Sequence, residues 1–159
     1  MLAGRCPWRN RRRVRTLFAM RMQRQVVDYS LRRRALLREV YAGRISAYEV
    51  CDASPYLKNA ARYHGEPTDV RCPICRRENL ALVHYIYGDE LRASAGQARA
   101  VRELPALAAR LREFQVYVVE VCRGCDWNLL VKQYLLGRAV ARPQRGGGAR
   151  VAARRSAPA

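Results

Sequence analysis

Two Cys-x-x-Cys pairs, in the stretches VRCPIC and VCRGCD, constrain this chain more than any other feature of its sequence. Cys72 and Cys75 form the first pair, Cys122 and Cys125 the second. A turn with two residues between its cysteines directs both thiolates at one point, and two such turns supply a tetrahedron of sulfur. Pro73 fixes one backbone dihedral of the first turn. Gly124 allows a left-handed or closely approached backbone in the second. Both turns adjoin segments of period two. Leu82, His84 and Ile86 share one face of the first, opposite Ala81, Val83, Tyr85 and Tyr87. In FQVYVVEV, Phe114, Val116 and Val118 oppose Gln115, Tyr117, Val119 and Val121, and NLLVKQYLL offers a third strand. Turn, strand, strand, turn, strand is the order of a zinc ribbon. The 46 residues between Cys75 and Cys122 exceed the common spacing, which implies a helical excursion at the hairpin tip.

Three chemistries use such cysteines. A thioredoxin-type dithiol has a single pair at the start of a helix in a βαβ setting, whereas here there are two pairs beside hairpin strands. Iron in a rubredoxin-like site uses the same four thiolates and stands as the lesser alternative. The expectation is one structural Zn²⁺ on Cys72, Cys75, Cys122 and Cys125. Four thiolates leave no open coordination position, so such an ion holds the fold and catalyses nothing. Structural zinc contributes about 10–16 kcal/mol in small peptides, as much as or more than a whole domain's stability. Four thiolates and a divalent cation sum to −2. Arg71, Arg76, Arg77 and Arg123 flank the turns and either offset that charge or contact a polyanion.

Upstream the pattern is helical. Val26, Tyr29, Leu36, Leu37 and Val40 fall on one broad helical face that Gly43 ends. Ser46 and Glu49 form a capping box, with Ile45 and Val50 as its hydrophobic staple. Ser54 caps a further helix with Pro55 at its first position, running to Gly65, after which GEPTD reads as loop. The middle helix is about a turn too short for a helix-turn-helix, so these helices form a packed cap rather than a DNA reader. A further helix is expected near Leu104–Arg112, with Pro105 at its start. Trp127, Tyr85, Tyr87 and Tyr117 are read as core before base-stacking residues, and Cys51 as a small buried apolar side chain.

The net charge of +18 sits at the ends: residues 1–24 hold eight arginines and residues 138–159 six, both without an acid. Residues 25–137 keep 17 basic against 13 acidic side chains. No apolar run is long enough to span a bilayer or to serve as an export signal. The expected location is therefore the cytoplasm, where clustered cysteines bind metal rather than pair as disulfides. Residues 1–21 read as a basic leader, either disordered or preceding a true start at Met20 or Met22. Residues 22–66 are the helical segment, 67–137 the ribbon-like domain with its insertion at 88–113, and 138–159 a disordered basic tail. The expected class is α+β, with N-terminal helices packed on a four-cysteine antiparallel sheet.

The stretches QRQVVDYSLRRRALLREVYAGRIS, EVCDASPYLKNAARYHGEPTDVRCPIC and EVCRGCDWNLLVKQYLLG resemble the actinobacterial domain-of-unknown-function family 5318. The resemblance spans residues 22–137. It implies a zinc-ribbon-like fold, and it carries no activity, substrate or catalytic residue to transfer. No catalytic constellation stands out in the residues either, so a non-enzymatic adaptor or regulator is expected, bound to a protein that the sequence does not identify. Binding to DNA, RNA or the transcription machinery is the alternative, and electron transfer through iron the second. Neither a membrane nor a small-molecule substrate is expected as a partner.

Overall fold

In the computed structural model, residues 22–138 are described. The expectations for residues 1–21 and 139–159, Cys6 among them, lie outside that range. Strand β1 (Arg24–Asp28) leads into helix α1 (Ser30–Tyr41), the short α2 (Ala47–Val50) and α3 (Pro55–Tyr63). Strands β2 (Glu66–Arg71) and β3 (Asn79–Tyr87) follow. The insertion holds a 3₁₀ turn (Asp89–Ser94), β4 (Ala98–Arg99), a second 3₁₀ turn (Val101–Glu103) and α4 (Leu104–Arg110). Strands β5 (Phe114–Val121) and β6 (Asn128–Leu136) complete the chain. All pairings are antiparallel, in the order β1-β6-β5-β3-β2, with β4 beside β3. The class is α+β, as expected.

Two expectations fail. Val26 and Tyr29, expected on the first helical face, lie before the helix: Arg24–Asp28 form an edge strand on β6, Val27 opposite Gln133 and Asp28 opposite Lys132. The helix begins only after Asp28, whose carboxylate accepts the Ser30 N–H at 2.6 Å. The GEPTD loop is also a strand: Glu66 and Pro67 pair with Leu82 and Ala81. Proline and acids are tolerated there because β2 is an edge, where half the backbone donors face away from the sheet.

The caps follow the sequence. Glu49 Oε1 accepts the Ser46 N–H at 2.8 Å while the Ser46 hydroxyl accepts the Tyr48 N–H at 3.3 Å, and the Ser54 hydroxyl accepts the Leu57 N–H at 3.2 Å. Gly43 has φ +72°, a left-handed stop after α1. α4 ends at Arg110, two residues earlier than the pattern suggested.

Both faces of the sheet are apolar, and both receive helices. On one face Ile86, Phe114, Val116, Tyr134 and Leu136 pack against Leu104 and Ala108 of the insertion. Toward the cysteine turns the same face packs Leu80 and Trp127 against Leu37 of α1 and Val50 of α2. The other face packs Ala81, Val83 and Val121 against Ala53 and Ala61, the latter from α3. Burying such side chains contributes about 1.5–3 kcal/mol each. The insertion thus completes the core rather than hanging from the hairpin tip.

Candidate metal centre

Each cysteine pair sits at the bend of a hairpin. The first lies between β2 and β3, the second between β5 and β6, and β3 pairs with β5 from Ala81–Val121 to Tyr87–Gln115. That central pairing sets the two bends side by side at one end of the sheet. The bends are near copies. Cys72 N–H donates to Glu78 O and Cys122 N–H to Trp127 O, both at 2.8 Å, closing each loop at its neck. Arg76 N–H donates to Cys72 O and Asp126 N–H to Cys122 O, both at 3.1 Å. The residue after each second cysteine is left-handed, Arg76 at φ +56° and Asp126 at φ +67°. Gly124 is therefore not the left-handed position. Its role is close approach, since a Cβ there would come within 3.0 Å of the Glu78 carboxyl carbon.

The four sulfurs of Cys72, Cys75, Cys122 and Cys125 lie within 4.8 Å of one another. Cys72 to Cys125 is 3.5 Å and Cys75 to Cys122 is 3.7 Å. A tetrahedron with metal–sulfur bonds of about 2.3 Å has sulfur–sulfur edges of about 3.8 Å, close to these two separations, so the quartet could hold one ion. Cys72 and Cys122 are wholly buried; Cys75 and Cys125 reach the surface in part.

Burial pushes the Cys72 and Cys122 thiols up, and Cys125 up to about 12. Burial opposes ionisation of Cys75 too, but the N–H groups of Glu78 and Arg77 outweigh it and bring that thiol down to about 6. Four adjacent thiolates repel one another unless a cation lies among them, and a metal-bound thiol is deprotonated outright. The donor set is that of a soft or borderline divalent ion.

The flanking arginines Arg71, Arg76, Arg77 and Arg123 are all solvent-exposed. None bonds a carboxylate among the described residues; Arg71 Nη1 donates to Arg77 O at 2.8 Å. Tyr41 of α1 donates its hydroxyl to Pro73 O at 2.9 Å, which ties the helix end to the first bend. Trp127 is wholly buried, as expected of a core residue. The tyrosines divide: Tyr85 is half-buried against the α3 cluster, while Tyr87 is exposed and meets Tyr117 edge-on at 5.3 Å.

Sequence reasoning missed one sulfur. Cys51, read as an apolar core side chain, stands with its Sγ 3.8 Å from Cys125 Sγ. It caps the C-terminus of α2 and is half-buried, beside the quartet. All five described cysteines are free thiols.

The fold and the site define a small α+β protein whose two hairpin bends bring four cysteines together where they could hold a metal ion. The chain belongs to the Family of unknown function (DUF5318), whose model matches residues 20–149. It is 57% identical over 132 residues to uncharacterised proteins of Mycobacterium bovis and Mycobacterium tuberculosis, a match covering 82% of this chain and 96% of theirs. No solved structure matches it. Among the described residues no helix is long and apolar enough to cross a membrane.

Proposed function

We propose that this is a non-enzymatic cytoplasmic zinc protein, an adaptor or regulator that presents its helices to another protein. The observation that carries the reading is the four-sulfur cluster spanning two hairpins. Four thiolates fill a tetrahedral ion, so zinc there ties β2–β3 to β5–β6 and offers no open position to a substrate. The helices that rest on this end display aromatic surface. Tyr48 of α2 is 91% exposed, and Tyr56 and Tyr63 of α3 are 87% and 72% exposed. Tyrosine is enriched where proteins bind one another and orders little side-chain freedom on contact. The test is capture from cells with the zinc-loaded full chain, beside a Y48A/Y56A/Y63A variant. A stoichiometric protein partner lost in the variant, with zinc content and thermal stability unchanged, supports the reading. Recovery of nucleic acid and no such protein refutes it.

A second reading, nucleic-acid binding, is favoured by one surface. Arg34 and Arg38 of α1 lead to Tyr41, which touches the bend that bears Arg76 and Arg77. Counterion release would make such binding fall steeply with salt. Its test is whether residues 22–138 alone, without the arginine-rich ends, bind DNA or RNA with that dependence. Iron in place of zinc would colour the purified protein.

A further inference from the structure

Each bend contributes one buried sulfur and one that reaches the surface. Cys72 and Cys122 are wholly buried, whereas Cys75 and Cys125 are partly exposed. Two short sulfur contacts of the quartet run between the bends, Cys72 to Cys125 at 3.5 Å and Cys75 to Cys122 at 3.7 Å. Each surface sulfur therefore touches a buried sulfur of the opposite bend. A reagent arriving from solvent meets Cys75 or Cys125 first. The second thiolate needed to close a disulfide already stands across the gap between the hairpins.

The surroundings of the two surface sulfurs are electropositive. Arg76 and Arg77 follow Cys75, and Arg123 stands two residues before Cys125; all three are exposed, and none bonds a carboxylate among the described residues. The bends' own acids are Glu78, which faces Gly124, and Asp126, which Lys58 matches at 3.1 Å. Partly exposed cysteines beside cations are the ones that oxidants attack.

We propose that the four-cysteine centre is a peroxide-responsive switch: oxidation at Cys75 and Cys125 joins them to Cys122 and Cys72 as disulfides and expels the ion, while the two hairpins stay linked. The proposal rests on the quartet being a zinc site. The Cys75 thiolate attacks one oxygen of hydrogen peroxide; the O–O bond breaks, hydroxide leaves and a sulfenic acid forms. The Cys122 thiolate then attacks that sulfur; the S–S bond forms, the S–O bond breaks and a second hydroxide leaves. Each disulfide gives up two electrons from sulfur and consumes one peroxide. Cys125 and Cys72 repeat the sequence. With its thiolates consumed the ion has no ligands and dissociates. Both disulfides bridge the β2–β3 bend to the β5–β6 bend, so they replace the ion in tying that end of the sheet. Disulfides within the bends would leave it untied.

The test uses the full chain with C6S, loaded with Zn²⁺, so that the quartet and Cys51 are the thiols present. Metal content is measured first. Hydrogen peroxide is then added with a chromogenic zinc indicator, and the remaining thiols are alkylated at partial and at full oxidation. Trypsin leaves Cys72 and Cys75 on one peptide and separates Cys122 from Cys125 at Arg123, so tandem mass spectrometry of the unreduced digest reads the pairing. The expected result is loss of one zinc per chain, with Cys75 joined to Cys122 and Cys72 to Cys125. Circular dichroism should persist after peroxide where a chelator abolishes it, and dithiothreitol should restore zinc binding. Pairs within either bend, a bridge from Cys125 to Cys51 at 3.8 Å, or sulfinic acids in place of disulfides would overturn the switch while leaving the zinc site standing. So would zinc that stays bound, or a fold lost on oxidation. A C6S chain that holds no zinc before peroxide is added would overturn both readings.

Discussion

The Trp127 indole N–H donates a 2.9 Å hydrogen bond to Oε1 of Glu120, inside the protein and next to the cysteine bends. The same oxygen accepts Arg33 Nε at 2.7 Å, so one carboxylate joins α1, β5 and the second bend. Glu120 is 6% exposed, and removing it strands a buried N–H and a half-buried guanidinium. Glu120→Ala should cost about 3 kcal/mol in urea unfolding with zinc present. Glu120→Gln, which keeps an acceptor, should cost about half as much. Equal and small losses would show that the pair is not structural.

His84 is buried, its Nδ1 has no hydrogen-bond partner among the described residues, and burial followed by the charge of Lys132 brings its pKa from 6.5 down to about 4. The unfolded chain binds the proton first, so the contribution is complete above 6.5 and is lost as the pH falls to about 4. The shift corresponds to about 3 kcal/mol. Wild-type stability should therefore fall by about that much more than the stability of His84→Leu over this window. Parallel curves would contradict it, and metal loss, common to both proteins, cancels in the difference.

The two helix caps should act independently. Ser46→Ala removes a capping box and Ser54→Ala an N-cap bond to Leu57, each costing about 1 kcal/mol. Their double variant should show the sum in the same urea experiment.

Two glycines differ in kind. Gly43 has φ +72° with nothing among the described residues within 4 Å of the Cβ it lacks, so Gly43→Ala should cost only the backbone strain, about 1 kcal/mol. Gly65 has an ordinary φ, but a Cβ would run into the Ala61 carbonyl at the end of α3. Gly65→Ala should shift the melting temperature further than Gly43→Ala. The reverse order would refute the packing argument.

What the sequence made legible was local chemistry. Cysteine spacing, the Ser46–Glu49 box, Pro55 after Ser54, the alternation in β3 and β5 and the apolar run of β6 all act over a few residues and survived into the structure. What it concealed was set by tertiary pairing. Val26 and Val27 fit a helical face as well as a strand, and only the β6 edge decides between them. The polar EPTDVR becomes a strand because β3 offers a free edge. Cys51 lies far along the chain from both bends, and nothing in VCDASP signals that its connector is fastened to Asp126 and Asn128.

Metal analysis of the purified chain, followed by chelation under circular dichroism, bears most directly on the whole account. One zinc per chain, and loss of the cooperative fold when a strong chelator removes it, is the result predicted. A protein that purifies without metal and melts at the same temperature with or without chelator would contradict it.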